Sequence, residues 1–226
     1  MTDVLIAASH GTSSPQGHDA IERLVAAVSA SAPHLSVRTA FIDVEQPDVP
    51  AVVGDVGPRN ARIVPLLLSA GFHVHVDLVE AANRPGVRVC RALGPDARLA
   101  RVMARRLEAV GMGGDDVVIM VAAGSTDARA VADCVEQADL LADLIGRPVQ
   151  AAFLSAAAPS LTDAVRAARS EGDARVVVVS YLLAPGYFAD LAMACGADGV
   201  TPPLLSATEP PPEELVEIVI DRYQHP

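Results

Sequence analysis

The chain has no tryptophan and no lysine, and its aromatic rings are three tyrosines and four phenylalanines in 226 residues. Aromatics at 3% exclude the stacking platforms on which proteins hold single-stranded nucleic acid. A net charge of −11 excludes a general polyanion partner. The three cysteines, Cys90, Cys134 and Cys195, are far apart and form no C-x-x-C pair. That excludes a cysteine-ligated zinc or iron–sulfur site and suits buried thiols in a reducing compartment. The apolar runs break before the roughly 18 residues a membrane helix needs, so no span is expected. The first residues lack a basic segment, so no signal peptide is expected and the cytoplasm is the expected location. With 51% hydrophobic residues and few aromatics, real cores must be built from Ala, Val and Leu.

What is present is a repeat. Ala7-Ala8-Ser9-His10-Gly11-Thr12 returns as Val121-Ala122-Ala123-Gly124-Ser125. Phe41-Ile42-Asp43 to Pro47 returns as Phe153-Leu154-Ser155 to Pro159. Pro65 to His73 returns as Ser180 to Phe188. The offsets are 113, 112 and 115 residues, the near-constant spacing of a duplicated domain. Lined up, His10 becomes Ala123, Asp43 becomes Ser155 and His73 becomes Phe188. The scaffold recurs in both halves, while the proton-active side chains stand in the first. The Gly111-Met112-Gly113-Gly114 run divides an N-terminal domain, 1–112, from a C-terminal degenerate repeat, 115–226.

Within each half, short apolar runs alternate with helical periodicity. The expected strands are Val4–Ala8, Leu35–Phe41, Ala61–Leu67 and Val87–Leu93, then Val117–Val121, Val149–Leu154, Arg175–Ser180 and Val200–Leu205. Helices are expected from His18 to Ala30, from Pro47 to Val53, from Asp77 to Asn83 and from Pro95 to Val110. Four more are expected near Ala128–Ile145, Pro159–Ser170, Tyr187–Ala194 and Pro212–Tyr223. The pattern predicts an α/β chain of two similar domains, each a four-stranded, mainly parallel sheet with helices on both faces, and a cleft between them. Two fused halves can enclose a cleft alone, so a monomer is expected. Charge follows the same division. Residues 1–113 hold 11 arginines and 11 acids, whereas residues 114–226 hold 6 arginines and 17 acids. Arg84, Arg88, Arg91, Arg98, Arg101, Arg105 and Arg106 share their span with one acid, Asp96. They offer a positive field to an anionic ligand or, equally, form a solvated helix face.

Ligands of open α/β sheets bind beyond the carboxyl ends of the strands. His10, Asp43 and His73 fall at or just past the ends of the first three expected strands. Two imidazoles and a carboxylate suit a divalent first-row metal, and free imidazole accepts protons near pH 6.5. His75, two residues from His73, shares its face in an extended segment. Glu45 is the alternative acid to Asp43, and Asp77 reads as a helix cap. His18, His34 and His225 are read as bystanders. A His-Gly pair after a first strand also occurs in histidine phosphatases, but those place Arg directly before the His, where this chain has Ser9.

Ala8-Ser9-His10-Gly11-Thr12, Phe41-Ile42-Asp43 to Pro47, the run Val64-Pro65-Leu66-Leu67-Leu68-Ser69-Ala70-Gly71-Phe72-His73, and Asp77 together resemble the class II chelatases of the CbiX/SirB type, the sirohydrochlorin chelatases. The resemblance spans essentially the whole chain, and the Pro65-to-His73 run is its most specific part. It implies insertion of a divalent metal into a modified tetrapyrrole by two histidines, which carry over to His10 and His73, for siroheme or cobalamin biosynthesis. Members often carry Glu where this chain has Asp43; the shorter acid keeps the charge and draws the oxygens back by a methylene. The metal, Fe²⁺, Co²⁺ or Ni²⁺, is a substrate, and no tightly bound cofactor is expected. Ser9, Gly11, Thr12, Gly71, Arg84 and Arg88 are the expected contacts to the carboxylates of sirohydrochlorin. A tetrapyrrole or metal carrier without turnover is the competing reading.

Overall fold

The apolar runs become strands buried on both faces. In the computed structural model, which describes residues 3–69, 71 and 78–226, the first half comprises β1 (Val4–Ser9), α1 (Pro15–Ser31), β2 (Ser36–Phe41), α2 (Val49–Val56), β3 (Ala61–Pro65), β4 (Val87–Val89) and α3 (Ala97–Ala109). The second comprises β5 (Val117–Ala122), α4 (Ala128–Ile145), β6 (Val149–Phe153), α5 (Leu161–Glu171), β7 (Val176–Tyr181), α6 (Tyr187–Met193), β8 (Gly199–Val200) and α7 (Glu213–Gln224). The sheet orders are β2-β1-β3-β4 and β6-β5-β7-β8. Every pairing among these strands is parallel. The chain is therefore α/β, with two similar four-stranded parallel sheets.

The repeat extends to single hydrogen bonds. Ile42 N–H donates to the Ser9 carbonyl, and Leu154 N–H donates to that of Ala122; Asp43 N–H meets His10, and Ser155 N–H meets Ala123. Phe41 bridges to Asp48 as Phe153 does to Ser160. Gly11 and Gly124 turn the chain with φ of 90° and 99°, a region that penalises any Cβ.

Alternation along each central strand feeds different cores. Leu5 and Ala7 of β1, with Val118, Met120, Val177 and Val179 of the second sheet, face one shared core between the sheets. That core is filled by Leu24 of α1, Met103 of α3, Leu141 of α4 and Ile218 of α7. Val4, Ile6 and Ala8 face a separate core under α2, whereas Ile119, Val121 and Val178 face one under α5 and α6.

The halves exchange their last helices. α3, from the first half, packs on β7 and α4, while α7, from the second, packs on β3, α1 and α3. Arg222 of α7, only 3% exposed, donates from Nε to the Ala92 carbonyl at 2.9 Å and from Nη2 to the Leu93 carbonyl at 2.8 Å and to Asp96 Oδ2 at 3.0 Å. Arg98 grips the same carboxylate and reaches Asp221 at 3.2 Å. Arg105 pairs with Glu214, and Arg106 with Glu209. Much of the arginine run therefore meets acids of the other half, and the uneven charge distribution becomes an adhesive between halves.

Three strands stop short of their expected ends by two residues or more, β3 at Pro65 instead of Leu67, β4 and β8, and proline stands at each break. Pro65 brings no N–H to the β3–β4 ladder, which stops at Val89 instead of running to Leu93. Pro202 and Pro203 likewise end β8 at Val200. Thr201 substitutes a side chain for the ladder: its Oγ1 accepts from Ser180 N–H at 2.9 Å. Among the described residues, no helix is long and apolar enough to cross a membrane.

Candidate functional site

The carboxyl ends of β1 and β3 face those of β5 and β7 across a cavity of about 780 Å³. Its first wall holds Ser9, His10, Gly11 and Thr12 from the loop after β1, and Leu66 to Ser69 and Gly71 from the loop after β3. The second wall holds Ala123, Gly124 and Ser125 after β5 and Leu182 to Phe188 after β7.

His10 is exposed, one residue past the last residue of β1. Ser9 is only 5% exposed. Strand alternation puts it on the same face as Leu5 and Ala7, toward the second sheet. Its Oγ meets no hydrogen-bond partner among the described residues. A buried hydroxyl left unpaired costs about 1–3 kcal/mol. Asp43 sits beside His10 through the backbone, its N–H donating to the His10 carbonyl at 3.2 Å. Its side chain is exposed and is not among the described residues lining the cavity.

Glu45 does line it, with both oxygens engaged. Oε1 accepts from Thr12 N–H at 2.8 Å, and Oε2 lies 2.7 Å from His18 Nδ1. The other ring nitrogen of His18 is 3.2 Å from Glu22 Oε1. The hydrogen bond to Glu45 raises the His18 pKa above the ordinary imidazole value, against the opposing effect of burial. The sequence reads His18 as a bystander, whereas the structure puts it in the cavity wall. The signal that places it in the wall is its position on the first turn of α1, directly after the His10–Thr12 loop.

The second half also holds the loop after β3. Tyr181 is buried, and its hydroxyl donates to the Leu68 carbonyl at 2.8 Å. Ser69 hydrogen-bonds the Cys134 thiol, whose pKa burial pushes up to about 11 against that bond. Removing the Tyr181 hydroxyl strands the Leu68 carbonyl, so Tyr181→Phe is expected to cost about 1–3 kcal/mol of stability. Thermal melting tests this; an unchanged midpoint would show that the bond contributes nothing.

The structure thus brings Ser9, His10, Gly11, Thr12 and Gly71 to one cavity. His73, His75 and Asp77 lie outside the described residues, and among the described residues no three His, Cys, Asp or Glu side chains form a metal-holding cluster. Arg84 and Arg88 line a different cavity, of about 600 Å³, at the amino end of β4. Arg84 is committed there to the carbonyls of Val53 and Arg59, at 2.8 and 3.1 Å. No arginine is among the described residues lining the larger cavity. Burial also pushes the Cys90 thiol up to about 11.

Comparison with known proteins adds four matches. The CbiX family model matches residues 4–110 and 117–194. A sirohydrochlorin ferrochelatase of Priestia megaterium is 26% identical over 200 residues, spanning 81% of this chain and 74% of the relative. The structure of SirB from Bacillus subtilis with Fe³⁺ superposes with a TM-score of 0.82 at 18% identity, covering 99% of this chain and 95% of that one. The sirohydrochlorin chelatase SirB from Bacillus subtilis subspecies spizizenii, in complex with cobalt, gives a TM-score of 0.73 at 16% identity, with 99% and 94% covered.

Proposed function

Since the chain belongs to the CbiX family, we propose that it is a sirohydrochlorin chelatase, a lyase that inserts a divalent metal, Fe²⁺ or Co²⁺, into the tetrapyrrole for siroheme or cobalamin biosynthesis. The observation that carries this reading is the exposed His10 imidazole in the wall of a large cavity between the carboxyl ends of two sheets. Both metals occur with the structural relatives, iron in one and cobalt in the other.

Insertion must strip water from the ion and remove two protons from pyrrole nitrogens. A neutral imidazole serves both needs: it ligates a first-row metal and accepts a proton. His10 and His73 take these roles. A site of two imidazoles and a carboxylate, with no thiolate, holds the ion loosely enough for the macrocycle to win it. Ser9, beside His10, lines the same cavity. Gly11, Thr12 and Gly71 bring backbone close to the substrate. The amino end of α1 opens on the same cavity and presents the positive end of its helix dipole to substrate carboxylates. Arg84 and Arg88, at the far end of the sheet, take no part in this reading.

In this reading Asp43, tied to His10 through the backbone although its side chain lies outside the described cavity lining, is the assisting acid, because both Glu45 oxygens already brace Thr12 and His18. Asp43→Asn is expected to lower the insertion rate by about 10–100-fold, the range seen when a supporting carboxylate is lost. Glu45→Gln is expected to lower the melting midpoint instead. Initial rates and melting curves of the two variants separate these outcomes. The chelatase reading is tested against a carrier by stoichiometry: with tenfold excess of sirohydrochlorin and Co²⁺ under anaerobic conditions, a chelatase converts the whole pool. A carrier stops at one equivalent per chain.

A further inference from the structure

The chain is poor in aromatic rings, yet it exposes two of them side by side. Tyr187 is 72% exposed and Phe188 37%, whereas Phe41, Phe153, Tyr181 and Tyr223 are all buried. Both exposed rings line the large cavity, on the wall opposite His10. Their centroids lie 5.6 Å apart with planes tilted by 59°. The two rings open α6, held in place by the loop after β7, and Phe188 occupies the repeat position that His73 occupies in the first half. The rest of this wall, which includes Ala123, Ser125, Leu182, Leu183, Ala184 and Pro185, carries no charged side chain.

We propose that Tyr187 and Phe188 form the face on which the flat, conjugated macrocycle lies, so that the second half binds one side of the substrate while His10 and the metal work from the other. This rests on the chelatase reading above and adds to it the residues that hold the ring. The occupant follows from the shape and chemistry of the site. A cavity of about 780 Å³ is of small-molecule size. Its exposed aromatic surface, without a charged side chain, matches a π-face and not the macrocycle's carboxylate rim. Tilted rings let one lie flat on the macrocycle while the other meets its edge. The arrangement also explains why the second copy could lose its imidazole without losing its use: an apolar ring at that position grips the substrate without competing for the metal.

The test is anaerobic binding of metal-free sirohydrochlorin to the full chain, followed by absorbance, with Co²⁺ insertion kinetics alongside. Tyr187→Ala/Phe188→Ala is expected to weaken binding by about tenfold or more, with the loss of kcat/KM carried in KM. Tyr187→Leu/Phe188→Leu, which restores apolar area without a π-face, is expected to recover part of that loss. Melting curves of both variants check that these surface changes leave the fold intact. A wild-type chain that binds with the double-alanine variant unchanged within twofold overturns this proposal and leaves the chelatase reading standing. A wild-type chain that binds no macrocycle overturns both. Sedimentation at the assay concentration gives a third outcome: a dimer that the double-alanine variant dissociates, with macrocycle affinity unchanged, assigns the rings to a copy–copy contact and overturns the proposal.

Discussion

His10→Ala is expected to slow metal insertion by about 10²–10⁴-fold, the range for loss of a positioned proton acceptor, and His73→Ala is expected to do the same. The double variant is expected to be little slower than either single one, because groups that act as a unit do not contribute additively. The physical reason is that no described neighbour can substitute. The described cavity lining offers His18 as its other imidazole, and that ring is held between Glu45 and Glu22. With one ring nitrogen on Glu45 and the other on Glu22, it has no free nitrogen to offer a metal or a substrate proton. His34→Ala, at an exposed position outside the cavity lining, is the matched control. Initial rates of anaerobic insertion measure all four, and full activity in both single variants would remove the imidazoles from the mechanism.

Arg222→Ala is expected to lower stability by about 3–5 kcal/mol, the cost of removing one partner from a buried ion pair. For a chain of this length that is roughly a 6–20 °C fall in melting midpoint. The guanidinium holds α7 onto the first half through two carbonyls and Asp96; its loss leaves two buried carbonyls and the partly buried Asp96 with fewer donors. Burial alone would raise the Asp96 pKa, but hydrogen bonds from Arg98 and Arg222 more than offset it and hold the carboxyl below its usual range. A depressed carboxyl contributes stability above the unfolded value near 3.9, and that contribution is lost as pH falls through the lower folded value. The difference between wild type and Arg222→Ala is therefore expected to shrink on moving from pH 7 into this acid range. Melting curves across the range check both the size and the sign, and a pH-independent difference would show that Asp96 is not the coupled group.

Much of this was legible in the sequence because it depends on local periodicity. Apolar runs of five or six residues mark the strands, and the repeat offsets align the two sheets. His10 at the end of β1 followed from the rule that open sheets bind ligands at their carboxyl ends. The exchange of α3 and α7 was not legible. An amphipathic helix announces an apolar face, but not which of two equivalent sheets will cover it. The arginine run was misleading for the same reason: Arg105 and Arg106 find their acids more than 100 residues away, and Arg98 adds the distant Asp221 to its neighbour Asp96. Arg84 and Arg88 stand at the amino end of the expected strand from Val87, so their place away from the carboxyl-end cavity was legible from the strand assignment. Glu45 and Asp43 are two residues apart, and only the fold separates the one in the cavity wall from the one outside its described lining.

The central claim is that one wall does the chemistry and the other holds the substrate. The most direct test is the pH–rate profile of anaerobic insertion for wild type, His73→Ala and Phe188→Leu, the last two being matched positions of the repeat. The account predicts that Phe188→Leu keeps the wild-type inflection and raises KM, whereas His73→Ala alters the profile itself. An inflection shifted as much by Phe188→Leu as by His73→Ala would contradict it.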